Sequence, residues 1–243
     1  MANHQMLDNV THKDVRIITD QHPDLGDTGS YATTFINEFR DVQNQYPIFF
    51  RKNTETAKFE AIALFGFAES ENLYLDDQGW HASYIPLSVQ RRPFLIGFKD
   101  VDNQGVIEQE AVVHIDMDSP RVNTERGELV FLPQGGQSEY LQSVSNILGH
   151  IHEGHQMTDA FIDTMLELDL IESVNIKVTL DDGSEHELNS LYTLHEEKVQ
   201  ALDAEVVAQL HQKGYLQHMY MQMASLANMP ALIRQKNQVM GLS

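Results

Sequence analysis

The sequence predicts an α+β fold: an antiparallel sheet in the N-terminal half, and a helical C-terminal half with an inserted β-hairpin. Three observations predict it. Short apolar runs joined by tight-turn tetrapeptides fill residues 48–115. The apolar period becomes helical after residue 136. Strand-like alternation then returns once, at 174–192. In domain terms, residues 1–29 read as an N-terminal extension with one short strand, 30–133 as the sheet-rich part, and 134–243 as the helical part with hairpin 174–192. The last two are expected to form one compact unit.

The elements follow in chain order. Residues 15–18 are a short strand candidate, and the Pro/Gly/Asp-rich stretch 22–29 reads as a loop. Ser30 is placed to cap a helix running through Phe35, Ile36 and Phe39 and stopping before Pro47. Residues 48–51 and 59–67 are apolar strand runs. Residues 73–75 and 80–85 flank Asp76-Asp77-Gln78-Gly79, and 94–98 and 106–115 flank Asp102-Asn103-Gln104-Gly105. Both tetrapeptides signal hairpins, so the pairing is antiparallel. Ser138 is placed to cap a helix whose stripe runs through Leu141, Val144, Leu148 and Ile151, then 158–162, Met165 and Leu166. It reads either as one helix or as two broken near Gly154. Val174, Ile176, Val178 and Leu180 alternate with polar residues, and Asp181-Asp182-Gly183-Ser184 turns the chain into a strand at 187–192. Asp203 caps a helix ending at Gly214. Leu216, Met219, Tyr220 and Met223 stripe the next, with Met221 off the stripe and open to solvent. Asn228-Met229-Pro230 precedes a last short helix.

Composition narrows the function classes. The chain has 243 residues, enough for a sizeable core without cross-links, and its 42% apolar content is that of a folded protein. It has no cysteine, which removes disulfides, thiolate metal sites and thiol nucleophiles and fits a reducing compartment. The first residues lack a basic start followed by an apolar core, so no secretory signal is expected. The longest apolar run, 61–68, is too short to cross a bilayer. A cytoplasmic location is therefore expected. The net charge of −20 repels nucleic acid and anionic lipid, so neither is expected as a partner. From 134 to 195 one base, Lys177, faces eleven acids, whereas 40–99 carries seven of each sign. The middle of the chain either receives a basic partner or is simply a solvated face.

Several motifs invite chemistry. His114 and Asp116, two apart on a strand, point the same way. With a third ligand they would resemble the His/carboxylate set of a non-haem iron oxygenase. The plainer reading is a strand ending in the polar turn Ser119-Pro120. In the run from Gly149 to His155, His152 and His155 share a helix face while His150 lies opposite, so three ligands from this helix are excluded. His155 continues the apolar stripe and reads as a buried or half-buried structural histidine. Neither a Gly-x-Ser-x-Gly elbow nor a phosphate-loop frame is present. No metal or other cofactor is expected. In this acidic chain the pair Arg91-Arg92 stands out beside Trp80 and Tyr84. Guanidinium groups clamp carboxylates or phosphates bidentately and the rings supply an apolar wall, so these four residues and Asp116 are the candidate recognition set. The competing reading is an internal salt bridge with Trp80 in the core.

An ordered set of segments carries a family resemblance. It comprises Tyr46-Pro47-Ile48-Phe49-Phe50, Ala63-Leu64-Phe65-Gly66, Glu71-Asn72-Leu73-Tyr74, Tyr84-Ile85-Pro86 with Trp80, and Arg91-Arg92-Pro93-Phe94. It continues through Ile115-Asp116-Met117-Asp118-Ser119-Pro120, Gly127-Glu128-Leu129-Val130-Phe131, Asp169-Leu170-Ile171-Glu172, Leu191-Tyr192 and Leu210-His211-Gln212-Lys213-Gly214. Over about 12–235 the chain resembles the SapC-like family of bacterial proteins, named for an association with a surface layer and distinct from the peptide-transporter permease of like name. The resemblance implies an accessory role beside halogenase-like or oxygenase-like proteins or outer-membrane receptors, and it carries over no catalytic residue. The leading expectation is an auxiliary, non-catalytic binding protein acting with a protein partner, with homo-oligomerisation left open. The alternatives are a metal-dependent oxygenase-like enzyme using His114 and Asp116, and a surface-layer-linked structural protein.

Overall fold

The computed structural model describes residues 3–103 and 106–242. Gln104 and Gly105, from the second expected hairpin turn, lie outside the described residues. The elements are β1 (His4–Met6), β2 (Arg16–Ile17), a 3-10 turn (Pro23–Leu25), β3 (Tyr31–Thr34), α1 (Phe39–Val42), β4 (Ile48–Lys52), β5 (Phe59–Leu64), β6 (Leu75–Asp76), β7 (Gly79–Trp80), α2 (Leu87–Gln90), β8 (Phe94–Asn103), β9 (Val106–Asp116), β10 (Val122–Asn123) and β11 (Glu128–Leu129). There follow α3 (Glu139–Glu167), β12 (Ile171–Thr179), β13 (Glu185–Leu194), α4 (Glu196–Gln200), α5 (Ala204–Gln212), α6 (Tyr215–Ser225), a second 3-10 turn (Leu226–Asn228) and α7 (Met229–Val239). The fold is α+β, with antiparallel sheets and most of the helix toward the C-terminus.

The main sheet has five strands in the order β12-β13-β4-β5-β3. Its centre, β4 and β5, reads as continuous apolar runs because both faces are covered. Phe49, Phe50, Ile62 and Leu64 are all buried, and Phe50 meets Phe161 of α3 at 6.4 Å between ring centroids. β12 and β13 instead alternate half-buried and exposed positions along much of their length, as strands with one wet face do. The hairpin 174–192 is therefore an outer part of the same sheet as residues 31–64. Gln222 of α6 secures that join. Fully buried, it donates to the Ile48 carbonyl (2.8 Å) and the Thr193 hydroxyl (3.1 Å), while Ser225 accepts the Ile48 N–H (2.9 Å).

Two smaller sheets, β1-β9-β8 and β10-β2-β11, enclose a second apolar cluster. α3 bridges the two clusters. Leu141, Val144 and Leu148 enter the second, and Phe161, Ile162 and Met165 enter the first. Between them Gly154 lies so near Phe35 and Asn37 that a Cβ would collide with both side chains.

Several expectations are corrected. The helix from Ser30 is absent: Tyr31, Ala32, Thr33 and Thr34 pair with Leu64 to Ala61 of β5, and only α1 is helical. Aromatic and β-branched residues favour the extended backbone, and the open edge of β5 provides a ladder that a single helical turn cannot match. The strand at 80–85 stops after Trp80, because β6 and β7 pair only Leu75 with Trp80 and Asp76 with Gly79. The Gly154 break does not occur; α3 runs unbroken from its Ser138 cap, whose hydroxyl accepts the Leu141 N–H at 3.1 Å. The backbone of Asp203 occupies the cap position of α5, but its side chain makes no capping bond. Tyr220 is exposed and Met221 half-buried against the core, the reverse of the expected stripe, since α6 turns Gln222 inward. Leu166 is exposed as well.

Candidate functional site

The recognition set resolves into a site and its scaffold. Trp80 is scaffold: its Nε1 donates to the Tyr46 hydroxyl (2.8 Å) and its ring meets Phe65 edge-on at 5.2 Å. Arg91 donates from Nη1 to the Phe94 carbonyl at 2.6 Å, closing the turn into β8. Asp116 ends β9, where its carboxylate accepts the Asp118 N–H at 3.1 Å and caps the following turn. None of these three lines the cavity that Tyr84 and Arg92 share.

That cavity, of ≈ 400 Å³, lies where the two apolar clusters meet. One wall is the segment Ser83 to Ile85 with Val89 of α2. The other is the first part of α3, with Tyr140, Val144 and Ile147. Arg92 and Arg121 complete it. The residue that organises it is Asp27, whose side chain is fully buried and which follows the left-handed Gly26. Asp27 Oδ2 accepts from Arg121 Nη2 at 2.5 Å and from the His22 N–H at 3.1 Å, and Oδ1 lies 3.5 Å from Arg92 Nη1. Arg121 is buried too, and spends its remaining Nη donors on the carbonyls of Ile18 and Asp20 and on Gln21 Oε1. Burial lowers the Arg92 pKa and Asp27 opposes that shift; guanidinium groups remain charged regardless.

A second buried carboxylate fixes Tyr84. Glu38 accepts the Tyr84 hydroxyl (2.7 Å), the Leu87 N–H (3.0 Å), the Thr34 hydroxyl (2.9 Å) and the Phe35 N–H (3.3 Å). Burial raises its pKa, and these four donors pull the other way without cancelling the rise. Burial and the Glu38 charge together hold the Tyr84 phenol protonated. On the opposite wall, burial pushes Tyr140 up to about 12.

Asp27 and Arg121 are absent from the sequence-derived set. They come from two loops 94 positions apart, and loops have no period to mark them. The only local signal is an arginine directly after the turn Ser119-Pro120 in an acidic chain.

The remaining motifs stay apart. The ring of His114 lies over Gly97 of the neighbouring strand, where any Cβ would meet it. Among the described residues no group of three His, Asp or Glu side chains is placed to hold a metal ion, with His114 and Asp116 or elsewhere. His155 is exposed rather than buried, 3.4 Å from Asp159, because Gly154 occupies the inward position on that turn of α3. No helix among the described residues is long and apolar enough to cross a membrane.

No curated protein and no solved structure matches the chain. The family model SapC matches residues 7–232, nearly the full length and through both arginines of the cavity; the chain belongs to the SapC family.

Proposed function

We propose that this chain is an auxiliary, non-catalytic binding protein of the bacterial cytoplasm. It works with partner proteins of an enzyme or receptor system, halogenase-like or oxygenase-like proteins among them, and the mouth around Arg92 is its recognition surface. One observation carries the reading. Arg92 stands with 36% of its side chain exposed above the buried pair of Asp27 with Arg121, and so presents a positive group in fixed orientation on an acidic protein. Rigidly held guanidinium groups beside aromatic walls are recognition elements, and pre-organisation lowers the ordering cost of binding. The packing of His114 on Gly97 and the bond of Asp116 to its own turn give the oxygenase reading no support.

Native mass spectrometry of untagged protein taken gently from its own cells tests the reading, with an Arg92→Gln strain alongside. A complex with a second polypeptide that is lost in the variant is the expected result. A complex retained in full by Arg92→Gln would remove Arg92 from the recognition surface, and recovery in a membrane or surface fraction would refute the cytoplasmic assignment.

A further inference from the structure

We propose that the cavity behind Arg92 binds a small organic anion: a single carboxylate on an apolar body. This rests on the reading of Arg92 as a recognition group and adds the class of molecule it holds.

The first support is the free edge of the guanidinium. Arg92 donates only from Nη1, to the Gly26 carbonyl at 2.7 Å, and that nitrogen is also the one nearest Asp27. Its Nε and Nη2 take no partner among the described residues. These two nitrogens form one edge of the planar fork, the edge that receives both oxygens of a carboxylate in parallel hydrogen bonds.

The second support is the balance of charge. Arg92 and Arg121 are the charged side chains of the cavity lining, and the buried carboxylate of Asp27, within ion-pair distance of both, brings one negative charge against their two positive ones. The exposed acids whose charges reach Tyr140 and Tyr84, Glu128 and Asp41, do not line the cavity. One positive charge is left over, inside a chain of net charge −20. Buried and half-buried charges in proteins are paired, and here the missing partner is a monoanion. Arg121, though paired with Asp27, keeps an unused donor: it is 3% exposed, stands in the cavity wall, and its Nε is buried with no acceptor.

The third support is shape. The ≈ 400 Å³ of the cavity fall in the range of small-molecule sites, and beside polar groups such as Gln90 and Ser143 its walls carry the apolar side chains of Ile85, Val89, Val144 and Ile147. An inorganic anion satisfies Arg92 and leaves those walls wet. A carboxylate on a ring or short alkyl chain satisfies both.

The test is isothermal titration of the full-length chain with benzoate, hexanoate, benzamide and inorganic phosphate. Benzoate and hexanoate are expected to bind one to one. Benzamide, equal in shape but uncharged, and phosphate, charged but without an apolar body, are each expected to bind at least about tenfold more weakly. Arg92→Gln is expected to weaken benzoate by at least about tenfold. Ser143→Trp, at an exposed position on the cavity wall, is expected to abolish benzoate binding by filling the space while the thermal midpoint holds, so the test survives if Arg92→Gln does not fold. Equal binding of benzoate and benzamide, phosphate binding as tightly as benzoate, or full benzoate binding to folded Ser143→Trp each overturns the proposal. Two results separate it from the recognition reading. If Arg92→Gln loses its protein partner and keeps benzoate, the small-anion site is wrong and the recognition surface stands. If it loses benzoate and keeps the partner, the site stands and the recognition surface is wrong.

Discussion

Replacing Asp27 with asparagine removes one negative charge from a position with no solvent access and changes almost nothing in shape. Its Oδ2 is 2.5 Å from Arg121 Nη2, and that arginine is 3% exposed, so the charge left behind has little contact with solvent and, among the described residues, no second carboxylate within ion-pair distance. The amide put in place of the carboxylate also meets a donor on every side: Arg121, the His22 N–H and, 3.5 Å away, Arg92. Removing one partner of a buried ion pair costs about 3–5 kcal/mol, far more than the intact pair contributes relative to an apolar substitute. For a chain of this length about 2–4 °C of thermal midpoint accompanies each kcal/mol, so Asp27→Asn should melt about 6–20 °C lower. Urea unfolding followed by circular dichroism gives the free energy directly, and an unchanged slope with denaturant identifies the loss as native-state stability. Arg121→Met removes the other charge, and the double variant Asp27→Asn/Arg121→Met should be less unstable than the two single losses added together, by about 0.5–3 kcal/mol. An Asp27→Asn loss within about 0.5 kcal/mol of zero, or strict additivity in the double variant, would show that Arg121 finds its counter-charge elsewhere and would refute the site's construction.

The remaining predictions concern the frame. Glu38 has a folded pKa raised above its ordinary value, so its contribution to stability is fully present below about pH 4.3 and is lost as pH rises through the folded pKa; Glu38→Gln should cost more at pH 5 than at pH 8, and a penalty independent of pH would contradict the shift. Gln222→Leu leaves the Ile48 carbonyl and the Leu194 N–H without their partner and should cost about 2–4 kcal/mol in urea unfolding; a neutral outcome would mean that α6 does not secure the sheet. Gly149 and Gly154 share α3 and should respond oppositely to alanine. Gly149→Ala, with open space around it, should gain up to about 1 kcal/mol from helix propensity, whereas Gly154→Ala should lose stability against Phe35 and Asn37, as melting curves of the two will show. Lys236→Met cuts the 2.5 Å ion pair to Glu71. Burial raises the Glu71 pKa, but Lys236 and the Phe67 N–H outweigh that and leave it lowered, so the pair's contribution is present above the ordinary carboxylate pKa and fades as pH falls through the folded one. The variant should lose about 1–3 kcal/mol at pH 7 and less at pH 3.

Whatever repeats locally is legible in the sequence. Asp76-Asp77-Gln78-Gly79 and Asp181-Asp182-Gly183-Ser184 announce their hairpins because turn chemistry resides in adjacent residues. The stripe from Leu141 to Met165 announces α3 because a buried helix face repeats every turn. Tyr31 to Thr34 read as helix in the sequence because the deciding fact, a free edge on β5, lies further along the chain at 61–64. His155 reads as buried because Gly154, a residue without a side chain, holds the inward position next to it. Within the site, Tyr84 and Arg92 are legible as an arginine among aromatics. Asp27, Glu38 and Arg121 are not, since each acquires its role only when loops and strands distant in sequence close on one another.

The strand order of the main sheet governs how the chain comes into being on the ribosome. Leu191 pairs with Arg51, a separation of 140 residues. At about 5–20 residues per second, β4, with its apolar run Ile48-Phe49-Phe50, waits roughly 7–28 s for the neighbour that covers its edge. During that interval β4, paired on one side with β5, presents its other, open edge to chaperones and to other nascent chains, so lower growth temperatures and chaperone supply, rather than stabilising substitutions, will decide how much of this protein is recovered folded.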